Sequence, residues 1–184
     1  SKRPILASDR VRHVGDPVVF ILAETVNLAL DAADNVIVDY EELPCNSDTA
    51  KALEDDSPKL FDEFESNCAV DWGLGSDEEW KKVESDAHHV THVHLINNRI
   101  VVNPIEPRSA ISTFDKDSNK YTMHVESQGP HAMRERLANT LNIKEDDIQV
   151  ITKDVGGGFG LKMMCFPEYI AVMHASRHLS RPVK

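Results

Sequence analysis

Apolar residues along this chain fall into separate blocks whose spacing predicts different elements. Pro17-Val18-Val19-Phe20-Ile21-Leu22 is a continuous apolar run of strand length, as a buried strand would show. Behind Thr25, a helix-capping residue type, Leu28, Ala29, Ala32 and Ala33 recur at helical spacing, and the pattern stops near Asn35. Val36-Ile37-Val38-Asp39-Tyr40 is rich in β-branched residues and closes at Leu43-Pro44, which reads as a second strand. Parallel strands need a crossover of this kind, so residues 17–40 predict a small βαβ unit.

From Asn46 to Asp86 the pattern decays. Leu60-Phe61, Phe64, Trp72 and Leu74 stand among acids, a Ser-Pro pair and Gly73-x-Gly75, and loop with one or two short turns is expected. Alternation returns after His88, with His92, His94 and Ile96 on one face of a predicted strand. Arg108 to Asp115 and Tyr121 to Ser127 alternate on either side of Lys116-Asp117-Ser118-Asn119-Lys120, which predicts a hairpin. Met133, Leu137, Ala138 and Leu141 share one helical face that ends at Asn142. Ile148-Gln149-Val150-Ile151 reads as a strand and Val155 to Gly160 as a glycine turn. A last helix is expected from Pro167, a residue suited to the first helical position, with Tyr169, Ile170 and Met173 on its apolar face.

With 184 residues, 41% of them hydrophobic and 28% charged, the chain can bury a core and suffices for one ordinary domain or two small ones. Its net charge of −11 argues against nucleic acid or an anionic membrane as partner, because both attract the opposite sign. The charge is unevenly placed. Residues 1–40 carry six acids and four bases, residues 41–86 fifteen acids and four bases, and residues 87–184 ten acids and twelve bases. The excess therefore lies in the middle stretch, read as a solvated connector between two folded pieces. The alternative is a non-catalytic interaction module that offers this acidic surface to a basic partner. No apolar run is long enough to span a bilayer, and no basic-then-apolar leader is evident. Cys45, Cys68 and Cys165 are odd in number and form no Cys-x-x-Cys pair. A reducing, cytoplasmic setting is the expectation, and any iron–sulfur cluster in this protein's chemistry must sit on another chain or domain.

Three features, and beside them a histidine-rich stretch, could carry chemistry. Val155-Gly156-Gly157-Gly158-Phe159-Gly160-Leu161-Lys162 has four glycines in five positions. A dinucleotide fingerprint opening at Gly156 would need glycine where Leu161 stands, and a phosphate loop of the Gly-Lys-Ser/Thr kind is excluded by Leu161-Lys162-Met163. What remains is a backbone able to aim several N–H groups at an anion or oxo ligand, with Phe159 as an apolar wall. A tight turn that needs positive φ angles explains the same residues. Ser127-Gln128-Gly129-Pro130-His131 puts a glutamine between a strand end and a helix start, where its amide can meet a bound group or simply solvent. Asn103-Pro104-Ile105-Glu106-Pro107-Arg108 imposes a stiff extended path, with a structural ion pair from Glu106 or Arg108 as the plain reading. His88-His89-x-x-His92-x-His94 could hold zinc or copper from one strand face, yet no carboxylate or cysteine joins at ligand spacing. His131 and His174 are expected on helices with no nucleophile beside them.

In their order these features resemble the molybdenum-cofactor (large) subunit of the xanthine dehydrogenase, aldehyde oxidase and carbon monoxide dehydrogenase family. The resemblance opens at Arg12-His13-Val14-Gly15-Asp16-Pro17-Val18 and runs through Tyr40-Glu41-Glu42-Leu43-Pro44 and Glu106-Pro107-Arg108. It continues with Gln128-x-Pro130-His131 and the Gly156 to Lys162 loop, and ends at Arg181-Pro182-Val183-Lys184. Leu161-Lys162 and Gln128-x-Pro130-His131 look nearest to carbon monoxide dehydrogenase large-chain-like members. Purine- and aldehyde-oxidising members usually place a glycine and then an acid around the loop lysine, which Leu161 and Met163 do not match.

The resemblance implies an α+β chain: an α/β hammerhead-type domain over residues 1–75, an acidic connector over 76–86, and over 87–184 the first part of a mixed α/β molybdopterin-binding domain. It implies that Gln128 hydrogen-bonds an oxo or hydroxo ligand of molybdenum, and that Gly157, Gly158, Phe159 and Gly160 approach the metal's ligands and the pterin. Direct metal ligands and a catalytic residue are not expected here, since the family's general-base glutamate lies beyond the position of Lys184. The chain is thus expected to be a fragment, inactive alone, of a molybdenum-dependent oxidoreductase that oxidises a small molecule with water-derived oxygen. Its implied cofactor is molybdenum–molybdopterin, with a cytosine dinucleotide form allowed. Iron–sulfur and FAD subunits or domains would take the electrons, in a complex that can dimerise.

Overall fold

The alternating run after Arg108 folds as the hairpin it predicts. In the computed structural model, which describes residues 4–184, strand β1 spans Ala110–Asp115 and β2 spans Lys120–Val125, paired antiparallel from Asp115↔Lys120 to Ala110↔Val125. Asn119 takes a left-handed φ of 55° in the turn, a conformation asparagine tolerates better than most residues. Tyr121, Met123 and Val125 alternate inward along β2 and are buried. The residues gather into two units, 4–36 with 100–184 and 37–99, each described in turn.

In the first unit, β3 (Ile148–Ile151) lies parallel to β2, with Tyr121 opposite Ile148, and the sheet order is β1-β2-β3. Two longer helices pack with this sheet. The first of them spans Pro130–Leu141 and the second Pro167–Leu179. Both begin at a proline, the second at the predicted Pro167, and left-handed caps end them at Asn142 (φ 54°) and Ser180 (φ 53°). The crossover helix buries Met133, Leu137 and Ala138 from the predicted apolar face, each full burial of a Met or Leu side chain being worth about 1.5–3 kcal/mol. The C-terminal helix buries Tyr169, Ile170, Val172, Met173, Ala175 and Ser176. Two buried hydroxyls satisfy each other there: Ser176 donates to the Met173 carbonyl at 2.9 Å, leaving its oxygen to accept from Ser112, also 2.9 Å away. The backbone of Ser112 exchanges both hydrogen bonds with Val183 at 2.9 Å, so the chain's end forms a bridge on β1.

A short helix over Val26–Ala33 is capped by Thr25, whose Oγ1 accepts the Leu28 N–H at 3.2 Å. Numbered along the chain, it is α1; Asp77–Asp86 is α2, Pro130–Leu141 α3 and Pro167–Leu179 α4. The expected βαβ unit is not formed. Among the described residues the runs 17–22 and 36–40 are in no strand ladder. An apolar run specifies burial, but a strand also needs an edge to pair with.

The unit 37–99 has no fully buried side chain. Asn67 organises part of it, accepting the Leu60 N–H at 2.8 Å and donating to the Ala52 and Pro58 carbonyls, both at 3.0 Å. The expected loop over 46–86 is corrected at its end by α2, which Ser76 caps through the Glu79 N–H at 3.4 Å. Asp77, Glu78 and Glu79 fill its first turn, where acids favour the helix dipole. Ser76-x-x-Glu79 is a capping-box signature visible in the sequence. The histidine stretch 88–94 is likewise not a strand in the described residues, which removes the shared face expected for His92 and His94.

Candidate cofactor-binding site

Three segments far apart in sequence meet beyond the sheet: the stiff stretch before β1, the turn between β2 and α3, and the glycine loop between β3 and α4. Gln128 sits in the middle segment. Its Oε1 accepts the Gly160 N–H at 2.9 Å, and its own backbone N–H donates to the Lys162 carbonyl at 3.1 Å. The amide orientation is thereby set, because only the oxygen end can receive an N–H. Nε2 makes no hydrogen bond to the described residues.

The loop can lie this close only because of its glycines. A Cβ on Gly158 would fall 2.5 Å from both Cδ and Oε1 of Gln128, and one on Gly156 would fall 2.5 Å from the Cβ of Glu106. Neither separation is available to a carbon atom, so these two positions are glycine for close approach. Gly157 and Gly160 stand at positive φ, 101° and 87°. Phe159 is also left-handed at φ 50°, a backbone cost of about 1–2 kcal/mol for a side-chain-bearing residue, and the residue is 78% exposed. Among the described residues, no hydrogen bond reaches the N–H groups of Gly157, Gly158 or Phe159.

Glu106 completes the arrangement. Its Oε2 accepts the Gly156 N–H at 2.6 Å and the Lys162 Nζ at 2.7 Å. Lys162 is wholly buried, whereas the Glu106 side chain is 36% exposed. The hydrogen bond from Lys162, then that from Gly156, holds the Glu106 carboxyl below its ordinary value of 4.5. Arg136 on α3 donates to the Met163 carbonyl and tethers the loop's far end. Nearby, Arg108 pairs with Glu168 at 3.3 Å and lies over the Phe166 ring, 3.6 Å from its centre. Both ion pairs fit the plain reading of the Glu106-Pro107-Arg108 segment.

The predicted residues Gln128, Gly158 and Gly160 are thus brought into direct contact, with Gly157 and Phe159 on the same loop. Lys162 was legible only as part of the loop motif. Its burial and its partner Glu106 had no local signal, since the two are 56 residues apart. The donor set (a carboxamide Nε2 and three loop N–H groups) is neutral, and the cradle is too tight for side chains. It fits an anionic or oxo-bearing ligand such as the molybdenum–pterin group, because fixed donors stabilise negative charge without a titrating group.

A family model described as molybdopterin cofactor-binding domain matches residues 60–184, and the aldehyde oxidase and xanthine dehydrogenase a/b hammerhead domain matches residues 1–44. The chain is 29% identical to the carbon monoxide dehydrogenase large chain of Hydrogenophaga pseudoflava, over 98% of this chain and 24% of that protein. It is 34% identical to the nicotine 6-hydroxylase large subunit of Paenarthrobacter nicotinovorans, over 98% of this chain and 22% of that one. Among solved structures, reconstituted CO dehydrogenase from Oligotropha carboxidovorans superposes with a TM-score of 0.89 at 29% identity, covering 97% of this chain and 24% of that one. The chain spans about a quarter of the length of these curated relatives. By its motifs, its fold and these matches, the chain belongs to the molybdopterin cofactor-binding family of aldehyde oxidases and xanthine dehydrogenases, with carbon monoxide dehydrogenase large chains among its relatives.

Proposed function

We propose that this chain supplies one wall of the molybdenum-cofactor site in an oxidoreductase that oxidises a small substrate. The observation that carries the reading is the Gln128 amide, held through Oε1 by the Gly160 N–H at 2.9 Å, with Gly158 pressed against it. When bound, the cofactor supplies two-electron oxidation with oxygen drawn from water. The chain's own residues bind and orient. Gln128 offers Nε2 as a neutral donor, and the Gly157 to Gly160 backbone offers N–H groups where no Cβ blocks access. Phe159 adds an apolar surface. The net charge of residues 87–184, ten acids against twelve bases, has the sign a pterin phosphate favours.

In this reading residues 1–75 are the hammerhead-type part, 76–86 the connector and 87–184 the start of the cofactor domain. Electrons leave through iron–sulfur and FAD subunits of a cytoplasmic complex, which can be a homodimer, and the cytosine dinucleotide form of the pterin is accommodated. The 184-residue chain by itself is expected neither to retain the cofactor nor to turn over.

The test is Gln128→Ala in the full-length protein produced with its partner subunits, read by molybdenum content and dye-linked oxidation. Turnover should fall while the protein stays folded. Unchanged activity removes Gln128 from the site. Stoichiometric molybdenum on the purified 184-residue chain would overturn its expected incapacity alone.

A further inference from the structure

A single carboxylate oxygen holds both ends of the glycine loop. Glu106 Oε2 takes the N–H of Gly156, where the loop begins, and the ammonium of Lys162, where it closes. The backbone reinforces the first contact, since the Glu106 N–H donates to the Gly156 carbonyl at 3.3 Å. The second contact reaches further. Lys162 accepts the backbone N–H of Gln128 at 3.1 Å through its own carbonyl. The loop it closes also donates the Gly160 N–H to the Gln128 side chain. Glu106 and Gln128 are therefore connected through one residue, Lys162, whose side chain is fully buried.

The geometry points to Glu106 and Lys162 as positioning residues: a clasp that closes the 156–162 loop end to end and so fixes where the donating Nε2 end of the Gln128 amide points. A buried ammonium that bonds a carboxylate has one low-energy place to be, because charge away from its partner costs far more there than in water. A glycine-rich loop without such a closure has many conformations, as glycine loses more backbone freedom on ordering than any other residue. The clasp selects the one in which Gly160 can reach Gln128 Oε1. Its effect on the loop rests on the geometry alone, and its effect at the cofactor rests on the function proposed above.

The test uses the full-length protein with its partner subunits and two variants. Lys162→Met removes the ammonium, keeps the bulk and leaves Glu106 partly solvated. Glu106→Gln/Lys162→Met removes the charge pair together, so that neither partner is left alone. Two readouts are taken: hydrogen exchange of the peptide covering 156–163, and the electron paramagnetic resonance spectrum of pentavalent molybdenum in metal-replete samples. Loop exchange should rise roughly tenfold or more, as local opening without global unfolding does, while exchange in α3 and α4 stays native. The molybdenum spectrum should shift in the direction seen with Gln128→Ala. Native loop exchange in both variants overturns the clasp. Raised exchange with a native spectrum overturns the positioning role and leaves a structural tether. A native spectrum in Gln128→Ala itself overturns the placement of Gln128 at the cofactor, and loop exchange then still decides the clasp.

Discussion

Gln128 and Gly160 are joined by one hydrogen bond, from the Gly160 N–H to Gln128 Oε1 at 2.9 Å, and that bond decides what the glutamine can do. With the oxygen end turned to the loop, Nε2 is the end left to donate to a bound group. A site that meets an anionic or oxo-bearing group needs that polarity.

Gln128→Glu tests the polarity directly. The carboxylate keeps an oxygen for the Gly160 N–H but replaces Nε2 by a second acceptor and adds negative charge. The full-length variant is expected to lose most of its molybdenum cofactor while still unfolding in a cooperative thermal transition. Metal analysis and thermal melting check it; native metal content would place the cofactor elsewhere.

Two glycine substitutions should separate function from stability. The Cβ of Gly158→Ala meets the movable amide end of Gln128, whereas that of Gly156→Ala meets the Cβ of Glu106, next to backbone. The first is expected to displace Gln128 and lower cofactor retention at little cost to folding. The second is expected to cost about 1–3 kcal/mol, the usual penalty of overpacking. Denaturant melts of the two variants give the ranking, and the reverse order contradicts the loop geometry.

Acid should open the loop before it unfolds the core. The Glu106 carboxyl is held below 4.5, first by the Lys162 hydrogen bond. A carboxyl whose folded value is lowered gives stability that is complete above its unfolded value and is lost as pH falls through the folded one. The protection of 156–163, its hydrogen exchange divided by the intrinsic rate at each pH, should therefore be constant from neutral pH to about 4.5 and fall below it. Relative to its own protection at neutral pH, Glu106→Gln should lack this fall. A step near neutrality would assign the loop's closure to another group.

Tyr169 is 2% exposed, and its hydroxyl, though beside the Arg108 guanidinium, forms no well-aligned hydrogen bond among the described residues. Burial pushes its phenol up, with the neighbouring Arg108 pulling the other way. Deleting an unsatisfied buried hydroxyl removes a desolvation penalty of about 1–3 kcal/mol. Tyr169→Phe in the 184-residue chain is thus expected to match or exceed the parent's stability in urea. A clear loss of stability would show that the hydroxyl has a partner.

The sequence by itself determined what is local. Alternation set the inward face of β2, the apolar stripe and Pro130 set α3, and Pro167 set the start of α4. Segment charge located the acidic excess in 41–86. The order of Glu106, Gln128 and the glycine loop was enough for the family. Period, caps and charge are properties of neighbours in the chain, so they can be read before it folds. Even α2 was legible from Ser76 and Glu79, had the acids around it not read as loop. Tertiary structure alone decided the rest. Runs 17–22 and 36–40 have strand composition but no ladder among the described residues, because pairing depends on an edge that another segment must supply. Lys162 is buried against Glu106 across 56 positions, and Gln128 accepts from Gly160 across 32. Such contacts exist only where the folded chain returns on itself, and it is these that turn a glycine-rich turn into a shaped site.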